Sequence, residues 1–366
     1  MTNDECRFKL CRMNARLLTF VLIISSALFG QTYPAPQDAD LKIDSYKFNS
    51  GAVLPGLKLH YATVGTPKTD AAGHVTNAVM ILHGTGGSGR QFLNERFAGV
   101  LFGPGQLLDA SKYFIILPDD IGHGRSSKPS DGLHARFPEY AYGDMVDLEH
   151  RLLVSLKVER LRLLMGTSMG CMHSWLWMER YPEAVQAAMP LACLPVEIAG
   201  RNRMWRKMAM DAIRTDPEWK GGDYTTQPRG LTTALDLLLI AGSAPLYMQA
   251  QYPAREKADA YVDEYMKNRG ATTDANDLWY AINSSRDYDP SKSLAEIKTP
   301  VVAINSADDF INPPELGIFE REVGKVKSAK VVLLPITEQT RGHGTHTLPA
   351  IWKQYLAELL EKTEGK

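Results

Sequence analysis

Gly166-Thr167-Ser168-Met169-Gly170 places a serine between two glycines at the G-x-S-x-G spacing, directly after the apolar run Leu161 to Met165 and before a helical stretch. A strand-to-helix turn this tight leaves no room for side chains two residues either side of the serine, and it holds the hydroxyl exposed as a nucleophile. The competing reading is an ordinary glycine-rich turn whose serine caps the helix. A serine hydroxyl is a weak nucleophile and needs a base, itself oriented by an acid. When the serine sits on such an elbow the acid comes next in the chain and the histidine last. Ser306-Ala307-Asp308-Asp309-Phe310-Ile311-Asn312-Pro313 follows a further apolar run and offers the acid. The Pro four residues on selects Asp309, with Asp308 as the alternative and turn formation as its competing role. Gly342-His343-Gly344-Thr345-His346 offers the base. His343, on the loop after a glycine, is preferred to His346 at the start of the last helix.

Charge that develops on a carbonyl oxygen needs backbone donors. His83-Gly84-Thr85-Gly86-Gly87 follows the run Ala78 to Leu82, and Thr85 and Met169 are assigned as the two N–H donors of an oxyanion hole. Neither glycine-rich stretch has the Lys-Ser/Thr of a phosphate loop or the Gly-x-Gly-x-x-Gly order, and the H-x-x-H pair has no third ligand, so no metal or cofactor is expected. His123, within Asp120-Ile121-Gly122-His123-Gly124, is read as a structural loop residue.

The elements that carry these residues repeat as strand, helix, strand. Leu41 to Ser50 and Leu57 to Gly65 alternate apolar and polar, an antiparallel entry to a sheet. Ala78–Leu82, Tyr113–Leu117, Leu161–Met165, Ala187–Cys193, Val301–Ile304 and Lys330–Leu334 are continuous apolar runs, as expected of strands covered on both faces. Helices are expected at Asp144–Leu156, Cys171–Arg180, Pro314–Val323 and Leu348–Leu360. The fold class is therefore α/β, a mostly parallel, doubly wound sheet. Residues 197–298 interrupt the alternation with helical patterns at Met204–Arg214, Leu231–Ile240 and Ala254–Lys267, which reads as an inserted cap. The core then divides into residues 31–196 and 299–366.

A formal net charge of −1 on 366 residues, with no block of like charges, argues against nucleic acid as a partner. Residues 1–30 combine Arg7, Lys9, Arg12 and Arg16 with an apolar run from Leu17 to Leu28 and small residues after it, the pattern of a secretory signal peptide. The expected location is periplasmic or secreted, without stable membrane insertion once the leader is removed; the chain would be cytoplasmic if this segment is not a signal. Four cysteines, at 6, 11, 171 and 193, make neither a disulfide framework nor a paired zinc spacing.

With these motifs the chain resembles the α/β-hydrolase superfamily and, within it, the homoserine O-acetyltransferase family. Its marks are Phe102-Gly103-Pro104-Gly105, Gly143-Asp144-Met145-Val146, Ser168-Met169-Gly170 with Met172, Ala212-Ile213 before Asp216-Pro217, Trp219-Lys220-Gly221-Gly222-Asp223-Tyr224, and Asp274-Ala275-Asn276-Asp277-Leu278. The resemblance implies an acyl-serine intermediate on Ser168, with Asp309 and His343 completing the triad. It also shows two departures: Met210 stands where the family has an Arg for the substrate carboxylate, and Gly344 where it has an Asp for the amine. Met204, Trp205, Met208, Met210 and Trp219 suggest an apolar pocket, against cap core packing as the alternative. The expectation is an exported esterase acting on a small uncharged ester, with the cap offering a homodimer contact. The alternatives are homoserine O-acetyl transfer from acetyl-CoA and a non-enzymatic binding module on the same fold.

Overall fold

Five consecutive strands of this chain carry almost no polar side chains because helices cover both of their faces. The computed structural model describes residues 33–365, and the leader expected over residues 1–30 lies outside them. An eight-stranded sheet runs in the order β1-β2-β4-β3-β5-β6-β7-β8. Strands β1 (Gln37–Lys47) and β2 (Val53–Val64) form the antiparallel entry, and β2 joins β4 antiparallel. From there β3 (Ala78–Leu82), β4 (Phe114–Pro118), β5 (Leu163–Thr167), β6 (Ala188–Leu191), β7 (Val301–Ser306) and β8 (Ala329–Leu334) run parallel. Strands β3 to β7 are buried at every position, which is why they read as unbroken apolar runs. The short α1 (Ala98–Leu101) and the long α2 (Tyr142–Ser155) and α3 (Met169–Arg180) pack on the first half of the sheet sequence. Strand β5 runs two residues further than its apolar pattern, through Gly166 and Thr167, and so delivers Ser168 directly to the start of α3.

Between β6 and β7 the described chain is helical: α4 (Gly200–Arg214), α5 (Gly230–Gly242), α6 (Pro245–Gln251), α7 (Arg255–Gly270) and α8 (Ala275–Asn283). Helix α8 fastens this region to the core. Its Asp277 accepts from Ser130 N at 2.9 Å and Ser130 Oγ at 2.6 Å, and the Tyr280 hydroxyl donates to the Phe137 carbonyl at 2.6 Å. Helix α8 is not among the expected cap helices; Asp274 caps it by accepting from Asn276 N and Asp277 N, and Leu278 and Ile282 lie one turn apart on its buried face. Beyond β7, the helix expected over Pro314–Val323 breaks at Gly317, which adopts φ +60; only α9 (Ile318–Val323) is α-helical, and α10 (Pro349–Lys362) closes the chain.

The cysteine expectation needs correction. Cys171 and Cys193 are joined in a disulfide across a sequence separation of 22 residues. The parallel pairing of β5 with β6 brings the first turn of α3 beside the end of β6, a proximity that spacing along the chain does not reveal.

Candidate active site

Ser168 sits at φ 54, ψ −108, a left-handed conformation that costs a non-glycine residue about 1–3 kcal/mol and recurs at functional sites. The flanking glycines are sterically required. A Cβ on Gly166 would collide with the Gly170 carbonyl, and one on Gly170 with the backbone of Leu82. Gly84 holds a third gap open, since a Cβ there would lie 3.3 Å from that of Ser168, over the face a substrate must approach.

The structure brings Ser168, His343 and Asp309 into one hydrogen-bonded line. His343 Nε2 lies 2.8 Å from Ser168 Oγ and Nδ1 lies 2.9 Å from Asp309 Oδ2. Asp309 also accepts from the backbone of Ile311 at 2.8 Å and Asn312 at 3.2 Å, and from Asn312 Nδ2 at 3.0 Å. Burial pushes its carboxyl up, but His343 and these donors outweigh that and hold it below the ordinary carboxylate value. Its anionic form is thus the one the site favours. With Asp309 accepting from Nδ1, the histidine presents Nε2 to the serine as an acceptor.

The two alternatives have other tasks. Asp308 accepts from Ser306 Oγ and, at 3.0 Å, from Gly342 N, so it pins the loop that carries His343 without touching the ring. His346 Nδ1 is 2.6 Å from the His343 carbonyl, and enclosure with His343 nearby pushes it down to about 3. It is neutral, and its Nδ1 is committed to the loop.

Thr85 and Met169 flank Ser168 from the two glycine-bearing turns, and Thr85 lines a cavity with it. The Thr85 loop is fixed by His83, whose Nε2 accepts from Asp120 N at 3.1 Å, so its proton sits on Nδ1 and goes to the Gly84 carbonyl at 2.8 Å. Burial pushes His83 down to about 4, which keeps it neutral in this role. Behind it lies a fully buried group that the sequence reading missed. Glu149, on α2, lies 2.7 Å from His173 Nδ1 and also accepts from the Trp177 indole. Burial raises Glu149 to about 7, and burial beside Glu149 raises Asp120 well above the carboxylate range. Asp120, Glu149 and His173 place ligand atoms within 4.8 Å of one another. Burial beside one another makes both carboxyls hold a proton more readily than free acids, and His173 and Trp177 both contact Glu149. His123 is also buried, with Nδ1 3.0 Å from the Ile121 carbonyl, and burial pushes it down to about 3.

Two cavities meet at Ser168 and His343. The smaller, about 360 Å³, runs past Met172, Cys193, Val196, Ile198 and Leu316. The larger, about 720 Å³, runs between Thr85, Phe92, Phe97, Trp205 and Leu238. The pocket expectations need correction here. Met210 is buried in the packing of α4 and lines neither cavity; Trp219 donates to Asn276 Oδ1 at 2.9 Å and holds cap to cap. Met204 and Met208 point to solvent, and Gly344, next to the catalytic candidate His343, lines neither cavity. Of that set only Trp205 faces the site. The expectation of an apolar pocket also needs correction, because Arg206 lines both cavities one turn before Met210. Helical phase decides this: Arg206 is on the inner face of α4, and its burial hides it from a reading that looks for charge at the family position.

The comparisons with known proteins agree with this fold. Residues 77–333 match the family model described as the alpha/beta hydrolase fold. A homoserine O-acetyltransferase of Trichormus variabilis is 31% identical over 301 residues, covering 74% of this chain and 79% of that protein. The crystal structure of a homoserine O-acetyltransferase from Bacillus anthracis superposes with a TM-score of 0.77 at 20% identity, covering 89% of this chain and 97% of that one. An acetylester hydrolase from Corynebacterium glutamicum gives 0.75 at 22%, covering 89% and 96%. At these identities the two structures speak for the fold alone.

Proposed function

The chain belongs to the α/β-hydrolase superfamily and to its homoserine O-acetyltransferase-like family, and from that premise we propose that it is a serine acyltransferase working through an acyl-enzyme on Ser168. The hydrogen-bonded line from Ser168 through His343 to Asp309 carries this reading. In the first half-reaction Ser168 Oγ attacks the donor carbonyl while His343 Nε2 takes its proton, and Asp309 steadies the imidazolium. The oxyanion is received by the N–H groups of Met169 and Thr85, with the N-terminus of α3 adding its dipole. The intermediate collapses as His343 returns the proton to the leaving group. In the second half an acceptor hydroxyl gives its proton to His343, attacks the acyl-serine and releases Ser168. The relative's name points to acetyl as the acyl group and homoserine as the acceptor, and this favours transfer over the hydrolysis expected from Met210 and Gly344.

Hydrolysis is the second reading, with water as the acceptor. It is supported by Gly344 in the place of an acid for the acceptor's amine and by the fold shared with an acetylester hydrolase. The disulfide between Cys171 and Cys193 supports export, since such bonds persist in oxidising compartments, where acetyl-CoA is not the expected donor. One preparation tests both readings: acetyl-CoA-dependent acetylation of homoserine against release of p-nitrophenol from p-nitrophenyl acetate. Saturable transfer supports the first reading, and hydrolysis without transfer supports the second. Neither activity, together with no fluorophosphonate labelling of Ser168, would sink both. N-terminal sequencing of the mature protein tests export, with a start between about Ser26 and Gln31 expected.

A further inference from the structure

Arg206 is among the most buried charged residues of the described chain, at 3% exposure, and its contacts are neutral. Its Nε donates to Asn202 Oδ1 at 2.9 Å and its Nη1 to Ser285 Oγ at 3.4 Å. The ionisable groups that act on it are the Tyr142 hydroxyl and Arg203, another cation. A guanidinium removed from water is stable when an anion or a full set of acceptors receives it. Here no carboxylate among the described residues fills that place. Burial accordingly pulls Arg206 below its ordinary value.

Its surroundings repeat the same signature. The Tyr142 hydroxyl lies beside both Arg206 and Thr85, yet it and Thr85 Oγ1 are buried without a completed hydrogen bond. Trp205, whose ring lies 4.9 Å from the Arg206 guanidinium, likewise buries an indole N–H that finds no acceptor. The Tyr142 and Thr85 hydroxyls and the Trp205 indole N–H thus lack a protein hydrogen-bond partner, while Arg206, held by Asn202 and Ser285, borders both cavities that open onto Ser168. Carboxylates do line the cavities, Glu197 and Glu315 the smaller and Glu95 the larger, but all three are exposed and none is among the groups acting on Arg206.

We propose that Arg206, with the hydroxyls of Tyr142 and Thr85, forms an anion subsite that selects substrates carrying a carboxylate close to the reacting carbonyl. The planar guanidinium suits a carboxylate, and the position between the cavities lets that group sit on the acyl side or on the alcohol side of the ester. Arg206 is thus a specificity-determining residue at a position different from the one the family resemblance marks, Met210, which is turned away from both cavities. The inference rests on acyl transfer at Ser168 and is independent of whether water or a hydroxyl compound is the acceptor.

The test uses two near-isosteric pairs on the full chain. Mono-p-nitrophenyl succinate is compared with p-nitrophenyl butyrate for the acyl side, and 3-acetoxypropanoate with its methyl ester for the alcohol side. At least one anionic member should exceed its neutral partner by about tenfold or more in kcat/KM, and the pair that shows it identifies the side. In Arg206→Met this preference should vanish through a rise in KM of about 10- to 100-fold for the anionic ester, with the neutral ester changed by less than about threefold. Arg206→Lys should keep part of the preference. Equal loss on both members through kcat would instead make Arg206 an oxyanion or scaffold residue and overturn the subsite. Turnover of neutral esters by the unmodified protein with no anionic preference in either pair overturns it as well, even if Arg206→Met does not fold. No turnover of any ester, with no labelling of Ser168, removes the acyl-transfer reading and this inference with it.

Discussion

The sheet and the inserted helices solve different problems, and their side chains show it. In the sheet, position is enforced by packing. Strands β3 to β7 are buried throughout, the turn at Ser168 tolerates only glycine two residues either side, and His83, which accepts from the Asp120 N–H, ties the oxyanion loop to its neighbour inside the core. The cap is loose by comparison. Helix α7 buries none of its residues, and α4 turns Met204 and Met208 to solvent at 61% and 56% exposure. What the cap does bury is largely its own apolar packing, such as Ala209, Met210, Ile213, Leu231 and Leu278, and with it polar side chains that include Arg206 and Asn276. Chemistry is thus built where nothing can move by an ångström, and substrate choice is built on a region that can change its outer surface freely.

The largest expected effects lie on the sheet side. Ser168→Ala should abolish turnover and remove the single fluorophosphonate label; labelling that survives would mean that another residue is the nucleophile. His343→Ala should lower kcat by on the order of 10³-fold or more, while His346→Ala, which loses a hydrogen bond to the His343 carbonyl and a ring packed beside His343 but no contact with Ser168 Oγ, should cost about tenfold or less. Asp309→Asn should exceed Asp308→Asn in the same way, because Asp308 holds the loop backbone and Asp309 holds the ring. Reversal of either order in steady-state kinetics would show that the observed geometry is not the working one.

This division also explains what could be read in the chain. Continuous apolar runs, glycines at fixed offsets from Ser168 and the order serine, acid, histidine are local signals, so the sheet and the candidate triad were legible residue by residue. The disulfide was not, because Cys171 and Cys193 meet only through the pairing of β5 with β6. Arg206 was not legible either. Its neighbours Arg201, Arg203 and Lys207 make α4 look like a solvated basic helix, and only the docking of that helix separates the buried guanidinium from the exposed Arg201 and Lys207 and the half-buried Arg203. The buried acids failed for a similar reason: Asp120, Glu149 and His173 come from three elements and carry no shared spacing.

The disulfide allows a test of how strongly the nucleophile turn depends on covalent support. Closing a loop of this size is worth about 3 kcal/mol in the chain-entropy account. Cys171→Ser with Cys193→Ser should lower the free energy of unfolding by that order, and reductant should reproduce the effect on the unmodified protein. Unchanged thermal unfolding in reductant would show that packing alone fixes the turn. Glu149 tests the buried acid in the same core. Its carboxyl rises from 4.5 to about 7, so between those values the folded chain keeps a proton that the unfolded chain has released. Its contribution is fully favourable below about 4.5 and is lost as pH rises to about 7. Against Glu149→Gln, which cannot ionise, the unmodified protein should lose relative stability across that window, by on the order of 3 kcal/mol, and stay level above it. A relative gain with rising pH, followed by denaturant unfolding, would show instead that Glu149 is ionised beside a protonated His173.

The smallest expected effect falls on the outer face of the cap, and it is informative because it shares a helix with Arg206. Met204 and Met208 lie one turn apart on the exposed side of α4, while Arg206 between them is buried against Ser168's cavities. If position on the helix, and not membership of the cap, decides function, Met204→Gln with Met208→Gln should change kcat/KM by less than about twofold and stability by no more than about 0.5 kcal/mol. Sedimentation and kinetics on the same sample separate the possibilities. Activity that holds at an unchanged molecular mass places selectivity on the inner face alone. A fall to half the mass together with lost activity would make the outer face a contact between copies, on which the geometry of α4, and with it the placement of Arg206, depends.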